Sequence, residues 1–201
     1  TPKPSSAASD VYKRQEEKYS NLETPMIREF YLWELKQSIV IKLREATIQD
    51  LPLLLEFEKG LIEYEREFTP NLKKSSFNYY DLRAYIENPE ISVVVAEQYN
   101  IVIASGYALI NKNKHYKNPE YYVFLGFMYV IPEKRGEGVN KMIIDYLLNW
   151  GKEKGYSEFQ LDVYTPNISA IKAYEKAGFT PETLTMRINS VSYTHLRAHE
   201  T

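Results

Sequence analysis

The stretch PEKRGEGVNK, residues 132–141, concentrates more potential chemistry than any other part of this chain. It lies between the apolar run YYVFLGFMYV and a segment with helical spacing that opens at Val139. A helix start carries unpaired backbone N–H groups and a partial positive charge, and anions bind there. Gly136 and Gly138 let the backbone approach a phosphate and take positive φ. Lys134, Arg135 and Lys141 add positive charge. Two further places carry reactive groups. Asp162 falls within FQLDVY, where Phe159, Leu161 and Val163 alternate with Gln160, Asp162 and Tyr164. Aspartate is disfavoured in a strand, so a carboxylate there removes a proton, orients a substrate or is simply solvated. Glu56, Glu58, Glu63, Glu65 and Glu67 crowd one helix and its exit. They either attract a cationic amine or form a solvated face.

Several chemistries are excluded by what is missing. The chain has 201 residues and no cysteine, which removes thiolate zinc sites, disulfides and cysteine nucleophiles. Its histidines are His115, His195 and His199. His115, between Lys114 and Tyr116 in a polar loop, reads as a surface residue. The nucleotide P-loop pattern is absent, and the turn lacks the three spaced glycines of a dinucleotide fingerprint. A formal net charge of -2 gives no argument for nucleic acid. Apolar residues at 44% and charged residues at 26% are ordinary for a soluble globular domain. No apolar run approaches the ~20 residues of a membrane helix.

The elements that must position these groups follow from periodicity. IVIKLREA reads as a strand. Thr47 with Asp50 three residues on makes an acidic capping box before a helix whose stripe is Leu51, Leu54, Leu55, Leu61 and Ile62. Residues 78–87 read as a second helix, stopped by Asn88-Pro89. ISVVVAE and IVIASGYALI, separated by Gln98, Tyr99 and Asn100, predict a hairpin. YYVFLGFMYV has the continuous apolar character of a strand covered on both faces. Val139, Met142, Ile143, Tyr146, Leu147 and Trp150 give a one-faced helix after the turn. FQLDVY is a strand, ISAIKAYEKA a helix ended by Gly178, and TLTMRIN a final strand. The order β-α-α-β-β-β-α-β-α-β predicts one α/β domain over 39–189. Tyr79, Tyr80, Tyr85, Tyr107, Tyr121 and Tyr122 either line a pocket or fill half-buried positions. Residues 16–38 form an N-terminal extension, readable as a short helix or as irregular chain. The tails, 1–15 and 190–201, resemble translated sequencing-adapter read-through and are expected to be foreign or disordered.

Two motifs together carry a resemblance. V-x-P-E-x-R-G-x-G over Val130–Gly138, followed by L-D-V-x-x-x-N-x-S-A-I-x-A-Y-E-K-A-G-F over Leu161–Phe179, resembles the GCN5-related N-acetyltransferase (GNAT) superfamily. The resemblance implies a single-domain acyl-CoA N-acyltransferase fold: a mixed, mostly antiparallel sheet flanked by helices. It implies that Arg135 and the backbone of Gly136, Glu137, Gly138, Val139, Asn140 and Lys141 hold the pyrophosphate of acetyl-CoA. Met128, Tyr129 and Val130 would pair with its pantetheine arm, in the manner of an added strand. Asn167 matches a coenzyme A contact, and Tyr174 the usual general acid. Asn140 departs from the pattern, since Gly or Ala is usual there, and it fills space where the ligand packs.

In this reading an amine attacks the acetyl thioester directly, with no covalent enzyme intermediate. A tyrosine of pKa ~10 is protonated at neutral pH and lies within about two units of a thiol near 8.5, so Tyr174 would protonate the leaving thiolate. Asp162 is the candidate base; some superfamily members resemble this chain with an acidic residue at that strand position. The acceptor is a primary amine of a small molecule or a protein. The alternative is a silent acyl-CoA-binding or regulatory module of the same fold. The remaining expectations are a cytoplasmic location, no metal, no nucleic-acid or membrane partner, and a homodimer as the oligomer to test.

Overall fold

The computed structural model describes residues 13–14, 16–21, 24–31 and 40–188. Both foreign-looking tails lie almost wholly outside the described residues, as does much of the 16–38 extension. Residues 16–20 and 25–31 of that extension are helical.

The β-branched runs form one sheet in the order β1-β2-β3-β4-β5. β1 spans Lys42–Glu45, β2 Ser92–Gln98, β3 Ile101–Lys112, β4 Tyr121–Val130 and β5 Phe159–Leu161. The first three pairings are antiparallel and β4–β5 is parallel. The predicted hairpin is β2–β3. Its turn is only Tyr99 and Asn100, both at positive φ (54° and 58°), the backbone that a two-residue hairpin loop requires.

Helices cover both faces. α1 (Leu51–Glu65) and α2 (Leu82–Glu87) pack on one face, where Leu54, Phe57, Leu61 and Leu82 meet Val93, Val95, Val102, Tyr107 and Phe127. α3 (Val139–Glu153) packs on the other, where Val139, Ile143 and Leu147 meet Val94, Ala96, Ile103, Ala104, Val123 and Leu125. The alternation of β2 is therefore literal: Val93 and Val95 serve one core, Val94 and Ala96 the other. α4 (Ile168–Lys176) follows β5.

The acidic capping box forms. Thr47 N–H donates to Asp50 Oδ2 at 2.7 Å. Asp50 also takes both terminal nitrogens of Arg44, at 2.8 and 2.9 Å, and Arg44 reaches Glu97 on β2. The start of α1 is thus tied to two strands.

Three expectations are corrected. The helix expected over 78–87 begins only at Leu82, because Asp81 caps it through Ala84 N–H at 3.1 Å and the residues before it bond elsewhere. FQLDVY is a strand only over Phe159–Leu161; Asp162 lies beyond its end and is exposed. TLTMRIN forms no strand over its described residues. Leu184, Met186 and Ile188 are 62%, 86% and 74% exposed, and among the described residues no strand pairs with this segment.

Candidate active site

β4 holds the irregularity on which the site depends. Val123 and Leu125 face the α3 core, and strict alternation would send residue 127 to the same side. Phe127 instead sits at φ 55°, is 1% exposed, and is buried in the α1 core. Met128 and Val130 then return to the α3 side while Tyr129 joins the α1 side. The phase has slipped by one residue, as in a β-bulge, and the register with β3 shifts between Ser105 and Tyr107. Parallel pairing with β5 stops before the slip, at Leu125 with Leu161. From Gly126 onward β4 has a partner on one edge only among the described residues.

Which backbone groups face the open edge follows from antiparallel alternation. Ile131 N–H donates to Ile103 O at 3.0 Å, so Tyr129, two residues back, turns its backbone toward β3. Met128 and Val130 turn theirs to the open edge. Val130 O there accepts from Arg135 Nε at 3.1 Å. The Tyr129 ring packs on Phe57 of α1, with centroids 4.9 Å apart. α1 admits it at Gly60, where a Cβ would stand 2.6 Å from Tyr129 Oη.

The chain then enters the turn singled out by sequence. Gly136 and Gly138 have φ of 81° and 82°, the left-handed backbone that side chains rarely adopt. A Cβ at either would meet nothing within 4 Å, so both positions open on free space. Gly138 is the N-cap of α3 and no side chain caps it. Met142 N–H, bonded to Gly138 O at 3.2 Å, is the first amide of this helix to find a backbone partner. The amides of Val139, Asn140 and Lys141 are left as donors at a positive helix end. An open cradle of this kind fits a pyrophosphate.

The basic side chains of the turn do not all point into it. Lys134 pairs with Glu137 at 3.1 Å, and Lys141 with Asp145 one turn along α3. The Arg135 guanidinium lies over Tyr64 at 4.9 Å and Tyr129 at 5.9 Å. Anion binding therefore falls chiefly to backbone amides.

Tyr174 lies on α4, partly buried, edge-on to Phe179 with centroids 6.2 Å apart. Burial, and then the charge of Glu65, push its pKa up to about 12. Glu65 is at the last turn of α1, beside the Tyr64 that carries Arg135. Tyr174 is thus within electrostatic reach of the end of α1, on which the Arg135 that follows β4 rests. Asn167 is the N-cap of α4: its Oδ1 accepts from Ala170 N–H and Ser169 Oγ, both at 3.1 Å. Its side-chain amide hydrogens remain available to a ligand. Asp162 contributes its charge to Tyr107 and Tyr164 from an exposed position. His115 is exposed against Tyr116. Among the described residues no group of three or more His, Cys, Asp or Glu is arranged to hold a metal ion. No helix among them is long and apolar enough to cross a membrane.

Two members of the acidic run have roles that the sequence reading did not separate from the rest. Glu58, 0% exposed, accepts from Asn78 Nδ2, from Tyr79 N–H at 2.6 Å and from Tyr80 N–H at 2.9 Å. It anchors the loop that carries Tyr79 and Tyr80. Glu65 is half-buried, and its charge acts on Tyr79, Tyr80, Tyr164 and Tyr174. Within the sequence both look like members of one acidic run, and only a buried hydrophobic position for Glu58, between Phe57 and Leu61, hinted at a difference.

Comparison with known proteins agrees with this fold. The model of the acetyltransferase (GNAT) family matches residues 58–179, more than half of the chain. Mouse thialysine N-epsilon-acetyltransferase is 28% identical over 146 residues, covering 68% of this chain and 82% of the mouse protein. A tetramutant of a Bacillus halodurans protein superposes with a TM-score of 0.66 at 19% identity, covering 74% of this chain and 99% of the other. A predicted acetyltransferase from Clostridium acetobutylicum, solved with acetyl-CoA, superposes with a TM-score of 0.58 at 20% identity, covering 76% and 98%.

Proposed function

Because this chain belongs to the acetyltransferase (GNAT) family and is an acetyl-CoA-dependent N-acetyltransferase, we propose that it acetylates a primary amine by direct attack, with Tyr174 protonating the leaving thiolate. The observation that carries the reading is the convergence of three features. They are the open glycine turn, the edge of β4 that β5 leaves uncovered after Leu125, and Tyr174 within electrostatic reach of Glu65 at the end of α1. The amides of Val139, Asn140 and Lys141, with Gly136, Glu137 and Gly138, hold the pyrophosphate. Met128 and Val130 offer backbone groups to the pantetheine amides, and Arg135 steadies the strand end. A backbone N–H on the open edge stabilises the oxyanion of the tetrahedral intermediate. Tyr174, protonated at all working pH values, gives its proton as the C–S bond breaks. The similarity to a thialysine acetyltransferase makes a small aliphatic amine the first acceptor to try.

The test is thiol release from acetyl-CoA across a panel of thialysine, lysine, diamines and amino sugars. With no cysteine in the chain, a thiol reagent reads only liberated coenzyme A. Turnover with an amine supports the reading. Acetyl-CoA binding without turnover on any amine would instead establish the silent module.

A further inference from the structure

The five glutamates of α1 and its exit have separate fates. Glu56 pairs with Lys59 at 2.6 Å and Glu63 with Arg66 at 2.9 Å, on the solvated side. Glu67 is exposed. Glu58 is saturated by the loop it anchors. Glu65 is half-buried and joins none of the ion pairs formed by the described residues of this helix.

What surrounds Glu65 comes from three other elements. Tyr79 and Tyr80 reach it from the loop before α2, Tyr164 from the segment after β5, and Tyr174 from α4; each of these hydroxyls feels its charge. Tyr79 Oη is buried and has no hydrogen-bond partner at bonding distance among the described residues. The groups facing it are Glu65 and Tyr164. The hydroxyl sits between a carboxylate and a second hydroxyl without closing on either at bonding distance, which leaves a place for a polar group supplied from outside. Glu58 fixes that hydroxyl in place by holding the backbone of Tyr79. Arg66, the nearest cation in sequence, is turned away to Glu63 and Lys73 O. Arg135 is stacked on Tyr64. The carboxylate therefore lies among aromatic hydroxyls, with both nearby arginines engaged elsewhere.

We propose that Glu65 receives the ammonium group of the acceptor and takes its proton, with Tyr79 and Tyr164 holding the nitrogen beside Tyr174. This rests on the acetyl-transfer reading above. It assigns the acceptor class as a cationic primary amine. It also moves the base from Asp162, which is exposed, to a residue within the tyrosine cluster. Burial raises the pKa of Glu65, against the Tyr79 hydroxyl, and a carboxylate so raised is a better-matched base. The protons balance. Glu65 accepts one from the ammonium, and the neutral nitrogen then forms the C–N bond. As the C–S bond breaks, the second nitrogen proton replaces the one that Tyr174 gives to sulfur. Glu65 releases its proton to solvent, the one net proton of the reaction.

Glu65→Gln and Tyr79→Phe test this, with thialysine and lysine as acceptors and acetyl-CoA affinity measured by calorimetry. Glu65→Gln is expected to lower kcat/KM for the amine by about 100-fold and to abolish the acid limb of its pH profile, with acetyl-CoA affinity kept. An amine kcat/KM within about threefold of the parent, or a persisting acid limb, overturns the proposal. If Glu65→Gln does not fold, Tyr79→Phe decides: KM for the amine rises about tenfold with the acid limb intact, whereas an unchanged KM overturns it. If the parent binds acetyl-CoA but acetylates neither amine, the transfer reading fails separately. Equal lysine affinity of the coenzyme A-loaded parent and Glu65→Gln would then overturn this proposal too.

Discussion

Tyr174 illustrates how a single side chain is retuned by its surroundings. Its ordinary pKa near 10 would sit about two units from a thiol near 8.5. Burial and Glu65 raise it to about 12, which widens the gap to about three and a half units, or roughly 5 kcal/mol. Neutralising Glu65 with a bound ammonium removes the second of these two causes, so acceptor binding would ease the proton transfer. The direction also fixes a pH prediction. A raised pKa keeps Tyr174 protonated until pH approaches 12, so its titration contributes no alkaline limb below about pH 10. Tyr174→Phe is expected to lower kcat by about 100-fold while the shape of the pH–rate profile below pH 10 is unchanged. Steady-state thiol release in both proteins measures this. An unaltered rate would remove Tyr174 from the chemistry.

At the scale of elements, the packing of α1 on β4 sets the position of the cofactor edge. Gly60 is the contact that allows it, since a Cβ there would lie 2.6 Å from Tyr129 Oη and 2.9 Å from Cζ. Gly60→Ala brings two opposed effects. Helix propensity favours alanine by about 1 kcal/mol, while forcing apart a packed contact costs about 1–3 kcal/mol. The steric term wins. The variant is expected to stay helical by circular dichroism, to lose about 1 kcal/mol of stability, and to bind acetyl-CoA about tenfold more weakly. The last effect arises because Tyr129 supports both the Arg135 stack and the strand that carries Met128 and Val130. Calorimetric titration with acetyl-CoA would expose an unaffected edge.

For the molecule as a whole, the Arg44–Asp50–Glu97 network joins β1, β2 and the start of α1. Hydrogen bonding by Arg44 lowers the Asp50 pKa from 3.8 to about 2. Because the folded value is depressed, the stabilisation is fully present above about pH 4 and is lost as pH falls toward 2. Arg44 is 38% exposed and Asp50 11%, so screening limits the effect to about 1–2 kcal/mol. Urea denaturation of Asp50→Asn is expected to show that loss at pH 7, with the difference from the parent shrinking as pH falls to 2. A constant difference across this range would assign the cost to packing.

The glycine turn, the one-faced α3, the β2–β3 hairpin and the acidic capping box were legible because each is a local matter. Helix period, turn residues and cap chemistry act within a few residues of chain. Tyr174 became conspicuous through the motif around it. The slip at Phe127 was not legible: YYVFLGFMYV is apolar throughout, and a run with both faces buried hides a change of phase. Nor could sequence say that Asp162 lies past a short strand, or that TLTMRIN lacks a partner, since strand length depends on which neighbour is in reach. The acidic run is the clearest case. Sequence determined that five carboxylates would share one helix and its exit. Only tertiary structure decided that Glu58 would bind a loop, that Glu56 and Glu63 would stay in solvent, and that Glu65 would face Tyr79, Tyr164 and Tyr174. Burial and charge environment are set by elements distant in the chain.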